Sequence, residues 1–242
     1  MGMAGHSKWK QIKHKKGITD AKRGKIFSKI SQMITLAARG NDQNPGTNQK
    51  LRIAVERGKA VNMPRDVIER AIDKATNKNE LVLEEFLYEA YGPDGVAVLI
   101  EGITDSKNRS TQEIKHLVSE SGGKFASPGT VLWMFEKKGV VELPLEKNTL
   151  QTKEEWELSA IDAGADSINE ENGTLFMTVP SQEIHLFVSA LAKKGATIET
   201  SFIAYIPKTT MKLTADGEDR VGLFLNAIEE NDDVQEVYAN IE

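Results

Sequence analysis

The chain has no cysteine. That excludes disulfides, thiolate zinc sites, iron–sulfur clusters and a cysteine nucleophile, and it fits a reducing compartment. No apolar run approaches the ~20 residues that span a bilayer. No apolar stretch follows the charged N-terminus, so it does not read as a secretory signal. Met1-Gly2 invites a myristoylation reading, but His6 stands where that motif needs Ser or Thr.

Enzyme signatures are also missing. There is no Gly-x-Ser-x-Gly, no His-Glu-x-x-His and no dinucleotide fingerprint. Gly17 and Gly24-Lys25 are spaced too widely for a phosphate loop, and Ile26 replaces the hydroxyl that would hold magnesium. Ser7-Lys8-Trp9-Lys10 matches Ser-x-x-Lys without its companion triplets. The histidines do not pair as metal ligands: His6 and His14 lie in a basic segment, His116 and His185 in separate helices. Glu101 and Asp105, and Asp162, Asp166 and Glu170, read as an acidic surface before they read as a divalent-cation site. No cofactor and no catalytic residue are expected.

What the chain has is a division of charge. Its formal net charge of −5 conceals a basic first third: residues 1–78 carry a net +12 and residues 79–242 a net −17. Such asymmetry marks a basic arm for nucleic acid or a membrane surface on an acidic body. Residues 5–29 hold nine Lys or Arg and one acid, Asp20. Lysines meet phosphates as point charges and release counterions on binding. Trp9 lies among them, and a flat indole stacks on an exposed base. His14 can stack or bond a phosphate. A solvated tail folded onto the acidic body is the bland alternative. Membrane binding lacks an apolar anchoring face. The residues expected to touch nucleic acid are Lys8, Lys10, Lys13, Lys15, Lys16, Lys22, Arg23 and Lys25 at phosphates, with Trp9 and His14 at bases.

Periodicity divides the chain into three regions. Residues 4–25 have little to bury and are expected to be mobile when alone. From Ala21 to Arg39, Ile26, Ile30, Met33, Ile34 and Ala37 line one helical face, with Lys22, Lys25 and Lys29 as a neighbouring stripe. Helices over 47–60 and 64–75 follow, completing a bundle. The pair invites a helix-turn-helix comparison. The second helix, however, mixes Arg65, Arg70 and Lys74 with Asp66, Glu69 and Asp73, and a plain helical hairpin explains it better. Strands are expected at 85–91 and 96–103 around Gly92-Pro93-Asp94-Gly95, a helix at 106–121 and a strand at 131–136. Residues 140–205 then read β-α-β-β-α-β, the split βαβ order. A helix at 219–229 and a strand at 234–239 close the chain. The expected fold is α+β: an N-terminal all-helical bundle followed by two ferredoxin-like α+β domains, the third inserted in the second. The expected domains are 1–78, 79–138 plus 207–242, and 139–206.

Particular runs resemble a known family. Met3-Ala4-Gly5-His6-Ser7-Lys8-Trp9, Ile12-Lys13-His14-Lys15-Lys16 and Asp20-Ala21-Lys22-Arg23-Gly24-Lys25-Ile26-Phe27 are similar to the N-terminal signature of the YebC family. Asn62-Met63-Pro64, Ile68-Glu69-Arg70-Ala71-Ile72, Tyr88-Glu89-Ala90-Tyr91-Gly92-Pro93, Thr104-Asp105 with Asn108-Arg109, Gly122-Gly123 and Phe135-Glu136-Lys137-Lys138-Gly139 agree with it. Phe125-Ala126 departs from a more usual Leu-Gly pair. The resemblance implies three domains and no enzymatic activity. It also implies a cytoplasmic DNA-binding transcriptional regulator. Related members act as translational activators or associate with ribosomes to relieve stalling, so ribosomal RNA and the ribosome are alternative partners. No membrane partner is implied.

Overall fold

The computed structural model describes residues 20–39, 42–76 and 82–242, with the side chains of residues 20–22 excepted. Three helices come first: α1 (Asp20–Ala38), α2 (Gln49–Ala60) and α3 (Arg65–Lys74). Each buries the apolar stripe that helical spacing creates, and Ile30, Ile34, Leu51, Ala54, Val55, Ile68 and Ala71 meet in one core. Asn48 starts α2 by accepting the Leu51 N–H at 3.1 Å, and its amide donates to the Ala37 carbonyl at 2.8 Å. One side chain thus caps α2 and ties it to the last turn of α1.

Two antiparallel four-stranded sheets follow. The first is built from β1 (Glu84–Tyr91), β2 (Ala97–Thr104), β3 (Lys124–Ala126) and β8 (Val234–Ala239), in the order β3-β1-β2-β8. Helices α4 (Lys107–Glu120) and α7 (Ala215–Glu229) cover one face, with Ile114, Val118, Val221, Phe224 and Ile228 against Val98 and Ile100. The second sheet is built from β4 (Phe135–Pro144), β5 (Ser167–Glu171), β6 (Thr174–Pro180) and β7 (Thr200–Pro207), in the order β5-β6-β4-β7. Helices α5 (Lys153–Asp162) and α6 (Ile184–Lys193) pack on it through Trp156, Ala160, Phe187 and Leu191. The uncovered faces of the two sheets share a further core: Ala97, Leu99 and Tyr238 of the first meet Phe135, Val140 and Ala204 of the second. This is why β2 is apolar at consecutive positions rather than alternate ones, since both of its faces are covered.

Two expectations change. The second sheet has the order β-α-β-β-α-β, with β6 lying between β4 and β5 as a split βαβ unit requires. The first sheet does not: it opens on the β1–β2 hairpin, leaving no gap for a strand between them, so it is not ferredoxin-like. The expected strand at 131–136 is also replaced. Leu132–Met134 is a short 3-10 turn, and β4 runs unbroken from Phe135 to Pro144 within the second sheet. The strand that pairs with β1 at the edge of the first sheet is instead β3, whose three residues are too few to show a period.

Two buried carboxylates lock the first sheet. Glu89, on β1, accepts the backbone N–H groups of Gly129 at 2.5 Å, Val131 at 2.6 Å and Leu132 at 2.9 Å. Burial pushes this carboxyl up. The N–H donors of Val131, Gly129 and Leu132 outweigh it and hold the group below its ordinary value. Asp233, on the approach to β8, accepts from Ser110 Oγ at 2.6 Å, Arg109 Nη2 at 2.8 Å and Thr104 Oγ1 at 3.1 Å. The Asp233 backbone carbonyl takes the Ile103 N–H at 2.9 Å. Gly102 is required beside it, because a Cβ there would strike the Phe86 ring and that carbonyl.

Asp233→Ala takes the shared acceptor from a buried Ser–Thr pair and one of the carboxylates from Arg109, which keeps Asp105. It should cost about 2–4 kcal/mol in urea unfolding; a loss below about 0.5 kcal/mol would show that the network is dispensable. Glu89 adds a pH signature. Its folded carboxyl is depressed, so its contribution is present above the ordinary value of 4.5 and lost as pH falls through the folded value. Glu89→Gln should therefore be less stable by roughly 2 kcal/mol near neutrality, with the gap to the native chain narrowing below about pH 4.5. A gap that stayed constant from neutral pH to pH 3 would assign the loss to shape rather than charge.

Candidate nucleic-acid interface

α1 forms because its apolar residues recur at helical spacing, and that spacing also aligns Lys25 and Lys29 one turn apart. Both reach α7. Lys29 Nζ donates to the Glu229 carbonyl at 2.7 Å, and Lys25 Nζ donates to the Glu230 carbonyl at 2.9 Å. These carbonyls end α7, where orphan acceptors and the negative end of the helix dipole coincide. Asp232 lies 3.9 Å from Lys25 as well. Further along the same seam, Gln235 donates to Gln32 at 2.9 Å, and Arg57 of α2 pairs with Glu236 of β8. Part of the basic stripe is thus used to seat the helical bundle on the acidic body.

Other cations of the bundle divide into paired and unpaired. On α3, Arg65 bonds Glu69 at 2.8 Å and Arg70 bonds Asp66 at 2.7 Å, both one turn away. A helix whose arginines are already held by its own carboxylates makes a poor reader of a DNA groove. Lys50 and Lys59 of α2 and Lys74 of α3 are exposed and pair with no carboxylate among the described residues. A pocket of about 420 Å³ at the N-terminus of α2 contains Asp42 beside Lys50. The Asp42 carboxylate accepts from Thr47 and from the Asn44 N–H, which hold its carboxyl below the ordinary value. A resident negative charge there opposes a phosphate.

The residues expected at nucleic acid fall in two groups. Lys8, Trp9, Lys10, Lys13, His14, Lys15 and Lys16, and the side chain of Lys22, lie outside the described residues. Arg23 is exposed on α1, and Lys25 is half-exposed while holding the end of α7. The carboxylates considered for chemistry have local partners. Glu101 accepts the Tyr238 hydroxyl at 2.9 Å, and Asp105 lies 2.9 Å from Arg109. Asp166 bonds Lys138 at 2.9 Å, Glu170 bonds Lys153 at 2.6 Å, and Asp162 lies 3.6 Å from Lys194. Burial, and then the Glu101 charge, push the Tyr238 hydroxyl well above its ordinary range. Among the described residues no group of His, Asp and Glu is placed to hold a metal, and no helix is long and apolar enough to cross a membrane. One exposed aromatic is missed by sequence reasoning. Trp133 stands within the expected strand at 131–136, whereas the structure puts it on the 3-10 turn with 66% of its surface exposed. The available signal is that residues 121–135 contain no Asp or Glu in an otherwise acidic region.

The fold defines a class: an N-terminal bundle of basic helices joined to two antiparallel α+β sheets. Comparison with known proteins names it. Residues 7–78 match the family model described as the TACO1/YebC protein N-terminal domain, and residues 83–241 match the TACO1/YebC second and third domain. The chain belongs to the TACO1/YebC family. It is 45% identical to a probable transcriptional regulatory protein of Kosmotoga olearia over 99% of this chain and 94% of that one. A protein of the same description from Thermotoga petrophila is likewise 45% identical, with the same coverage. The crystal structure of a conserved hypothetical protein from Aquifex aeolicus superposes with a TM-score of 0.85 at 39% identity, covering 97% of this chain and 96% of that one.

The contact of Lys29 with α7 is testable. Lys29→Met keeps the aliphatic stem and removes the charge at the helix terminus, and should lower stability by about 0.5–1 kcal/mol. The loss should shrink in high salt. Thermal unfolding unchanged by the substitution would remove this contact from the forces that seat the bundle.

Proposed function

We propose that this protein is a non-enzymatic nucleic-acid-binding regulator of gene expression, acting in the cytoplasm as a DNA-binding transcriptional regulator. The observation that carries this is the charge division of +12 on residues 1–78 against −17 on residues 79–242. The relatives named as probable transcriptional regulatory proteins support the regulatory role. Lys8, Lys10, Lys13, Lys15, Lys16, Lys22 and Arg23 contact phosphates, and Trp9 and His14 meet bases. Lys25 shares its charge between a phosphate and the end of α7. The acidic body repels a polyanion and so directs first contact to the basic end.

Three domains serve this division of labour. The first ends near Lys78, which the interval between the two family matches supports. The inserted domain is residues 139–206, and the continuous β4 from Phe135 to Pro144 and the end of β7 at Pro207 support limits close to these.

A second reading, a translation factor that binds ribosomal RNA on the ribosome, is favoured by the paired arginines of α3, which weaken a groove-reading helix. Crosslinking in cells separates the two: a discrete set of promoters supports the first and ribosomal RNA the second. Changing Lys13, Lys15 and Lys16 together to Ala should lower affinity for either polyanion and reduce the salt slope by about 0.7–0.9 per lost contact. Arg65→Ala with Arg70→Ala should leave that slope unchanged. An unaltered slope in the triple variant would sink the assignment of these lysines.

A further inference from the structure

Trp133 has the geometry of a built platform. Its indole Nε1 donates to the Thr130 carbonyl at 2.9 Å, which fixes the ring while most of it faces solvent. The turn beneath it is anchored from inside, because the Glu89 carboxylate holds the N–H groups of Gly129, Val131 and Leu132. An exposed tryptophan on a loosely held loop needs no explanation beyond chance exposure. Here a buried charge and an indole hydrogen bond both restrain the turn, so the ordering cost of a binding aromatic is already met.

Thr130 also lines a cavity of about 250 Å³ with Tyr91, Lys124, Phe125, Ala126 and Ser127. The site therefore sets an exposed aromatic plane next to a hollow lined by Tyr91, with the exposed Lys124 at its edge. Residues 121–135 carry Lys124 as their only charge, while residues 79–242 as a whole carry −17. The Glu89 carboxylate beneath the turn is directed onto three backbone N–H groups, so the exposed charge that this stretch offers an anion is that of Lys124.

We propose that Trp133 and this cavity bind an unpaired nucleobase of single-stranded nucleic acid, with the base stacked on the indole and Lys124 at the adjoining phosphate. A base inside a duplex does not present its face, so the site selects single strands. The proposal rests on the nucleic-acid reading above and extends it to a second point of contact, on the acidic body and apart from the basic arm. A ribose and a deoxyribose strand offer the same stacking face, and the test tells them apart.

The test uses the full chain and labelled mixed-sequence 12-mers of RNA and DNA, single-stranded and as duplexes, followed by fluorescence anisotropy. Trp133→Ala should weaken single-strand binding by roughly 5- to 150-fold, the range expected for one lost base stack, and leave duplex binding within twofold. Trp133→Phe should recover most of the loss, which a purely structural role of the indole would not predict. Lys124→Ala should flatten the salt dependence by about one contact. A larger effect of Trp133→Ala on RNA than on DNA strands identifies RNA as the source; equal effects assign the site to either strand. Native-like single-strand binding by a folded Trp133→Ala variant overturns the proposal and leaves the arm reading standing. Absence of binding to every strand by the native chain overturns both.

Discussion

The structure depends on the pairing of β8 with β2, which closes the first sheet after the chain has left it at β3 to build a second sheet. A contact between strands so far apart in sequence carries a large loop-closure cost. Local bonds at the join help offset it. Asp233 gathers Thr104, Ser110 and Arg109 from the end of β2 and the start of α4, and its carbonyl takes the Ile103 N–H. The same short stretch then serves as the meeting point of everything else. Lys25, Lys29, Gln32 and Arg57 bring the helical bundle onto residues 229–236, and Tyr238 packs edge-on to Tyr205 of the second sheet at 5.3 Å between ring centres. Without β8 in place, the helices and the second sheet both lose their seat.

This arrangement uses charge in two ways at once. The bundle needs positive charge toward a polyanion, yet a bundle of uniform charge would repel itself. Part of its charge is turned inward. Lys25 and Lys29 meet carbonyls at the negative end of α7, and Arg57 meets Glu236 at a place partly shielded from solvent, where burial pulls the guanidinium down. Other charges stay exposed, as at Lys50, Lys59 and Lys74. With a screening length near 8 Å at physiological salt, the acidic body acts on a bound polyanion only where that polyanion comes close to it. The body therefore shapes the route of a ligand more than its overall attraction.

The parts of this fold that were legible in the sequence are those set by near neighbours. Helical stripes such as Ile30 with Ile34, the turn at Gly92-Pro93-Asp94-Gly95 with Asp94 and Gly95 at positive φ, and the β-α-β-β-α-β order of the second sheet all follow from spacing and turn chemistry. The illegible parts are set by distant partners. Nothing near Glu89 in sequence announces that it will hold a turn some forty residues away, and a lone acid on a strand reads as solvated. The run Val131–Glu136 has the apolar content of a strand, but Glu89 takes the N–H groups of Val131 and Leu132, and the backbone coils until Phe135 can pair with β7. Lys25 reads as a phosphate ligand for the same reason: its stripe is visible, and the end of α7 that it meets is not.

The runs that carry the family resemblance sort themselves by this distinction. Within the sheets they are explained by internal bonds. Glu89 of Tyr88-Glu89-Ala90-Tyr91 anchors a turn, and Tyr88 stacks on Phe86 with ring centres 4.5 Å apart. Arg109 of Asn108-Arg109 reaches Asp233, and Gly123 leaves room for the Phe224 ring. Such residues specify the fold, and they would be needed whatever the protein bound. Trp133 differs from them: the molecule spends a buried carboxylate and an indole hydrogen bond on holding a large apolar ring in water. Packing does not call for that expense, because most of the Trp133 side chain lies outside the core beneath it. A rigid, exposed aromatic gains only when something lies against it, and the exposed Lys124 in a stretch without Asp or Glu suits a ligand that carries negative charge.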